Sequence, residues 1–124
     1  MAVNDAMVEI SLVAGQDLSA NQFHFVSVAA DGQIDPTGDG LAADGILTNK
    51  PDAAGKAATV AIPNGARVKV ECGGTVTAGG EVASNATGEA VDAASGDIIL
   101  GTALEGGADG EIISILFNVR GAAG

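Results

Sequence analysis

Lys56-Ala57-Ala58-Thr59-Val60-Ala61-Ile62-Pro63-Asn64-Gly65-Ala66-Arg67-Val68-Lys69-Val70-Glu71-Cys72 sets two alternating runs on either side of a Pro-Asn-Gly step. In the second run Val68, Val70 and Cys72 fall on one face and Arg67, Lys69 and Glu71 on the other, the period of a half-buried strand. Asn-Gly accepts the positive φ angles of a tight turn, so the stretch predicts a β-hairpin over residues 56–72.

The same signal recurs outward from this stretch. Val8, Ile10 and Leu12 alternate with Glu9 and Ser11 within Met7 to Val13, and Phe23 to Val28 sets Phe23, Phe25 and Ser27 opposite His24, Val26 and Val28. Further strand-like runs are Gly45 to Asn49, Thr75 to Thr77, Glu81 to Ser84, Glu89 to Asp92, Asp97 to Glu105 and Glu111 to Arg120. Turn clusters separate them: Asp31-Gly32, Asp35 to Gly40, Ala78-Gly79-Gly80, Asn85 to Gly88, Ser95-Gly96 and Gly106 to Gly110. A strand about every 8–12 residues is the spacing of a small all-β barrel or sandwich with many short strands and Gly-rich turns. The Ala-rich stretches Leu41 to Asp44 and Pro51 to Ala58 are too short for a stable helix, which leaves at most one helical turn, at residues 41–44. No repeat of fixed period appears, and no Pro- or Ser-rich linker divides the chain. The organisation expected is a flexible N-terminal arm over residues 1–6, ordered against a partner, followed by a single all-β domain over 7–124.

Of 124 residues 19 are Gly and 24 Ala, with three Phe and neither Trp nor Tyr, so the core is built from small side chains, which permits a monomer and leaves room for oligomer or lattice contacts to add stability. The formal net charge of −11 is distributed unevenly. Residues 1–49 carry seven acids and no base, 50–72 four bases and two acids, and 73–124 seven acids and Arg120. Lys50, Lys56, Arg67 and Lys69 therefore form the one positive region, which reads either as a solvated face with Glu71 as its partner or as a contact for an acidic neighbouring subunit or partner. Nucleic acid is excluded as an expected partner, because phosphate binding needs clustered Lys and Arg, and anionic membranes are disfavoured for the same reason. No run of 18 apolar residues occurs, and Met1-Ala2-Val3-Asn4-Asp5 lacks the basic and apolar parts of a signal peptide, so the reading is a chain made in a cytoplasm.

The residues carry little chemistry. His24 is the single imidazole, between two Phe, with no adjacent nucleophile, and reads as a satisfied strand histidine, not a catalytic or metal-binding one. Cys72 cannot form an internal disulfide and reads as a buried structural thiol. Asp35, Thr37, Asp39 and Asp44 approach a calcium-loop spacing, but Ile46 stands where that loop needs Glu. Gly73-Gly74 and Gly79-Gly80 lack the following helix or lysine of a phosphate loop. No catalytic residue, cofactor, metal or small-molecule substrate is expected. Gly73 to Val82 is also compatible with a lipoyl- or biotinyl-type carrier barrel, the alternative being a small β-barrel binding or carrier module of a bacterial complex. No Lys follows residue 69 to carry a cofactor.

The order Gly45-Ile46-Leu47, Ala57 to Ile62, Gly65 to Val70, Val76 to Val82, Thr87-Gly88-Glu89-Ala90, Ile99 to Glu105 and Gly110 to Ile115 resembles that of the tailed-bacteriophage capsid decoration, or cement, proteins. Its most specific piece is Leu100-Gly101-Thr102-Ala103-Leu104-Glu105 followed by a glycine turn and a last alternating strand. The resemblance implies a compact β fold, a homotrimer, and a seat on the exterior of the virion capsid. There the protein would bridge and stabilise major capsid protein subunits without enzymatic activity, after assembly in the host bacterial cytoplasm.

Overall fold

The structure, a computed structural model, describes residues 2–124. It is all-β, with no helix among the described residues and ten strands: β1 (Glu9–Val13), β2 (Phe25–Val28), β3 (Ile34–Pro36), β4 (Gly45–Leu47), β5 (Ala57–Ala61), β6 (Arg67–Glu71), β7 (Glu81–Ser84), β8 (Ala90–Asp92), β9 (Gly101–Ala103) and β10 (Ile112–Phe117). They form two five-stranded antiparallel sheets, ordered β1-β5-β4-β2-β3 and β6-β10-β9-β7-β8. Neither closes into a barrel, and the arrangement is that of a sandwich-like small domain.

The hairpin expected over 56–72 does not form. β5 is flanked by β1 and β4 and has no free edge, while β6 pairs with β10 through five registered residues, Leu116 opposite Arg67 to Ile112 opposite Glu71. Pro63-Asn64-Gly65 is therefore the crossing between sheets: Gly65 takes φ 83°, and its N–H donates to the Phe117 carbonyl of the second sheet at 2.8 Å. Three smaller differences follow from backbone geometry. Phe23 takes φ 66°, so β2 begins only at Phe25. Asp35 and Pro36, read as the start of a turn, belong to the strand Ile34–Pro36 paired to β2, with Pro36 at its end. At residues 38–41 a turn closes with Leu41 N–H donating to the Gly38 carbonyl at 3.2 Å, and the helical turn allowed at 41–44 is absent.

The two sheets are two copies of one plan. Renumbering the second from its first strand reproduces the order of the first, and the details coincide. Ala14 bridges Ile34 in parallel and Cys72 bridges Ala90 likewise, with Gly15 and Gly73 N–H donating to the Ile34 and Ala90 carbonyls at 2.8 Å. Ala14 N–H donates to Lys56 and Cys72 N–H to Glu111, at 2.9 and 2.8 Å. The inner residues Ala14, Leu18, Val26, Ile34, Leu47, Ala58 and Val60 of the first sheet have their counterparts in Cys72, Val76, Val82, Ala90, Ala103, Ile113 and Ile115 of the second. Strand glycines Gly45 and Gly101 also correspond. A Cβ on either would lie 2.8 or 2.2 Å from a carbonyl oxygen of the neighbouring strand, Ala61 or Leu116. The absence of a fixed period in the sequence has a plain cause: the spacing between counterparts drifts from 58 (Ala14 to Cys72) to 56 (Gly32 to Gly88) to 55 (Lys56 to Glu111).

The copies are fused through a shared core in which Phe25, Ala43, Ile46 and Ala61 pack with Ala66, Val68, Leu100 and Phe117. The Phe25 and Phe117 ring centroids lie 5.8 Å apart. Val3, Asn4 and Asp5 run beside β6, Met1 of the expected arm lying outside the described residues. Asp5 and Arg67 exchange backbone bonds at 2.8 and 3.1 Å, Asn4 Oδ1 accepts from Lys69 N–H at 2.8 Å, and Val3 N–H donates to Ser114 Oγ at 2.7 Å.

Gly32 and Gly88 offer a matched test, since both take φ 81° in equivalent turns. A Cβ on Gly32 meets nothing within 4 Å, whereas one on Gly88 would lie 2.4 Å from the Phe25 carbonyl oxygen. Gly32→Ala is expected to cost about 1–2 kcal/mol of unfolding free energy from the left-handed backbone alone. Gly88→Ala should cost roughly 3 kcal/mol or more as the clash adds to it. Equal losses in urea titrations would refute the close docking of this turn on Phe25.

Candidate functional site

β6 shows how the sequence builds the seam. Its alternation turns Val68 and Val70 into the core and leaves Arg67 exposed and Lys69 and Glu71 half-buried on the other face. Glu71 N–H, at the outer edge of β6, donates to the Phe23 carbonyl at 2.9 Å, and two residues on Phe25 N–H donates to the Gly88 carbonyl at 2.6 Å. The segment Phe23-His24-Phe25 is thus clasped between β6 on one side and the β7–β8 turn on the other.

This clasp sorts the four expected basic contacts. Lys69 Nζ lies 5.6 Å from the centroid of the Phe23 ring, within cation–π range. Lys50 joins Phe23, Glu71, Ser19, Gln22 and Ile112 in lining a cavity of about 320 Å³. Lys50 and Lys69 therefore meet around Phe23. Lys56 does not belong with them: it sits in the exposed turn before β5 and pairs with Asp52 at 2.6 Å, which holds the Asp52 carboxyl below and the Lys56 ammonium above their ordinary values. Arg67 stands at the start of β6, bridged through its backbone to Asp5.

Behind Phe23 lies a polar cluster that sequence reasoning did not assemble. His24 is buried, 5% exposed, with Nδ1 2.8 Å from the Thr87 carbonyl and Nε2 3.3 Å from Glu71 Oε1. A ligand atom from each of His24, Glu71 and Glu89 lies within 4.8 Å of the other two. Burial pushes the Glu89 carboxyl up, but hydrogen bonds from Asn85 and Thr87, with His24 and Glu71 nearby, outweigh it and leave it below the ordinary carboxylate value. Nothing local in the sequence announces this group, because its members come from three elements that only the fold brings together. Among the described residues no buried side-chain N or O atom lacks a hydrogen-bond partner.

No protein-family model matches the chain, and no curated protein matches it. Among solved structures it is similar to the N base of head fiber gp8.5 in bacteriophage phi29, with 19% sequence identity over 95% of this chain and 98% of that one, at a TM-score of 0.70. The chain shares its fold with a phage head-fiber base. That likeness spans both sheets.

Cys72, the one thiol, is fully buried. Burial, reinforced by Glu111, Glu105, Glu71 and Asp109, pushes it up to about 11. In the native chain it should resist thiol reagents at pH 8 and react only on unfolding. Because the folded value lies above that of the unfolded thiol, this residue's contribution to stability is complete below about pH 8.5 and is lost as pH rises toward 11. Stability across that window should fall by on the order of 2–3 kcal/mol more in the parent chain than in Cys72→Ala, measured by denaturant titration at each pH. Parallel profiles would overturn the assignment.

Proposed function

We propose that the chain is a non-enzymatic structural protein of a bacteriophage virion. It decorates the capsid exterior and stabilises the head by bridging major capsid protein subunits, having been assembled in the host bacterial cytoplasm. The observation that carries this reading is the fold shared with a head-fiber base over nearly the whole of both chains. The order of motifs along residues 45–117, the acidic balance and the small-residue core agree with it.

Two surfaces serve the role. Lys50 and Lys69, gathered around Phe23, make the contact with acidic groups of the capsid, with Lys56 and Arg67 peripheral to it. The outer edge of β1 is the contact between copies in a homotrimer. Its counterpart β6 is covered by residues 3–5 of the same chain, and Ala66 and Val68 there are 6% and 0% exposed. The corresponding Val8 and Ile10 are 47% and 43% exposed, and β1 pairs on one side only. An open edge with apolar side chains is a template for a neighbouring strand.

Purified protein added to expanded heads of the matching phage should bind them and raise the temperature or chaotrope concentration at which they break. Lys50→Glu with Lys69→Glu should weaken binding more than Lys56→Glu with Arg67→Glu. Sedimentation should give three times the 12.0 kDa chain mass, reduced to the monomer by Ile10→Lys. Heads neither bound nor protected would overturn the function, and a monomeric parent chain would overturn the trimer alone.

A further inference from the structure

We propose that His24, Glu71 and Glu89 form a binding site for one first-row divalent cation, of the zinc or manganese type, that staples the two sheet units together. The donor set is one imidazole and two carboxylates, each offering an atom within 4.8 Å of the others. One imidazole with hard oxygen ligands suits such ions, and two carboxylates neutralise a charge of +2.

Hydrogen bonding fixes the orientation of the ligands. His24 Nδ1 lies 2.8 Å from the Thr87 carbonyl, which can only accept, and 3.3 Å from Asn21 Nδ2, and the shorter contact assigns the Nδ1 proton to Thr87. Nε2 faces Glu71 Oε1, 3.3 Å away, a pair of atoms that either a shared proton or a bound cation satisfies. Glu89 is held in turn: its Oε1 accepts from Thr87 Oγ1 at 2.8 Å and from Asn85 Nδ2 at 3.2 Å. A carbonyl-oriented imidazole and a hydrogen-bonded carboxylate are the outer shell that metal ligands require.

The internal duplication supplies a control that the fold itself provides. In the first sheet the residue corresponding to Glu71 is Val13, and the one corresponding to Glu89 is Gln33. The same strand end and the same turn therefore form without either carboxylate, so packing alone does not account for the pair beside His24. The backbone is equally committed. Phe23 is held at φ 66° between the two clasping hydrogen bonds, a strained conformation for a bulky residue, and this fixes the position of the following imidazole. Glu71 also lines the cavity shared with Phe23 and Lys50, so one of the three ligands is reached from the surface.

The test uses the full chain, stripped with a chelator and titrated with Zn²⁺ and, separately, Mn²⁺, by calorimetry and by thermal unfolding. One equivalent of at least one of these ions should bind, and the unfolding temperature should rise by several degrees in excess metal. Glu89→Gln, which installs the residue found at the corresponding turn, should leave the metal-free unfolding temperature near that of the parent. It should lower affinity for that ion about tenfold or more, as should Glu71→Gln. Co²⁺ in the same site should show only nitrogen and oxygen ligation. No saturable binding of either ion would overturn the proposal. Binding unchanged in both variants, or a thiolate-to-cobalt band reporting Cys72 as ligand, would overturn it too.

Discussion

The fold depends on the clasp around Phe23-His24-Phe25. Each half of the chain is a five-stranded sheet of some sixty residues, with an inner cluster of about seven small and medium apolar side chains, too little to be robust alone. The clasp joins them through main-chain hydrogen bonds from Glu71 to Phe23 and from Phe25 to Gly88. It also sets the Phe25 ring against Phe117, bringing two of the three aromatic side chains together at the seam. On the far side of the seam Gly40 N–H donates to the Ser84 carbonyl at 2.9 Å and Ile98 N–H to the Gly40 carbonyl at 3.0 Å, and residues 3–5 add their bonds along β6, so the halves are laced at three places.

The all-β class and most of the strands were legible because alternation and glycine turns are local signals. The pairing of the strands was not. Two alternating runs around Asn64-Gly65 look the same whether the chain turns back on itself or steps to a second sheet. What decides is whether β5 has an edge left, and both its edges are taken, one by the preceding strand β4 and the other by β1, far away in sequence. The same blindness applies to the candidate site. Lys50, Lys56, Arg67 and Lys69 read as one positive region because they are neighbours in sequence, yet only Lys50 and Lys69 converge, on an aromatic residue from elsewhere. His24 read as isolated because Glu71 and Glu89 are remote from it in the chain.

The duplication was hidden for a related reason. The two copies agree where backbone geometry demands it, at Gly32 and Gly88, Gly40 and Gly96, Gly45 and Gly101, Gly55 and Gly110. At side-chain positions any apolar residue of suitable size serves, so Ile34 answers to Ala90 and Ala58 to Ile113. Insertions of a residue or two in the connections then shift the spacing and erase the period. The wealth of Gly, which looked like a poor supply of core material, includes strand positions such as Gly45 and Gly101 where a Cβ would run into the neighbouring strand.

Two like units joined by one seam carry a consequence for how they acquire function. Equivalent surfaces that need not do the same work are free to diverge, and here they have. The edge of β6 is covered by the N-terminal residues while that of β1 is open, and the strand end that carries Val13 in one copy carries Glu71 in the other. At the seam three separate elements bring His24, Glu71 and Glu89 together. A group bound at that point contacts both units at once and is present only when they are docked, so its binding free energy adds to the docking itself. For a domain whose halves are individually small, strengthening the seam stabilises the whole, and it does so without enlarging either core.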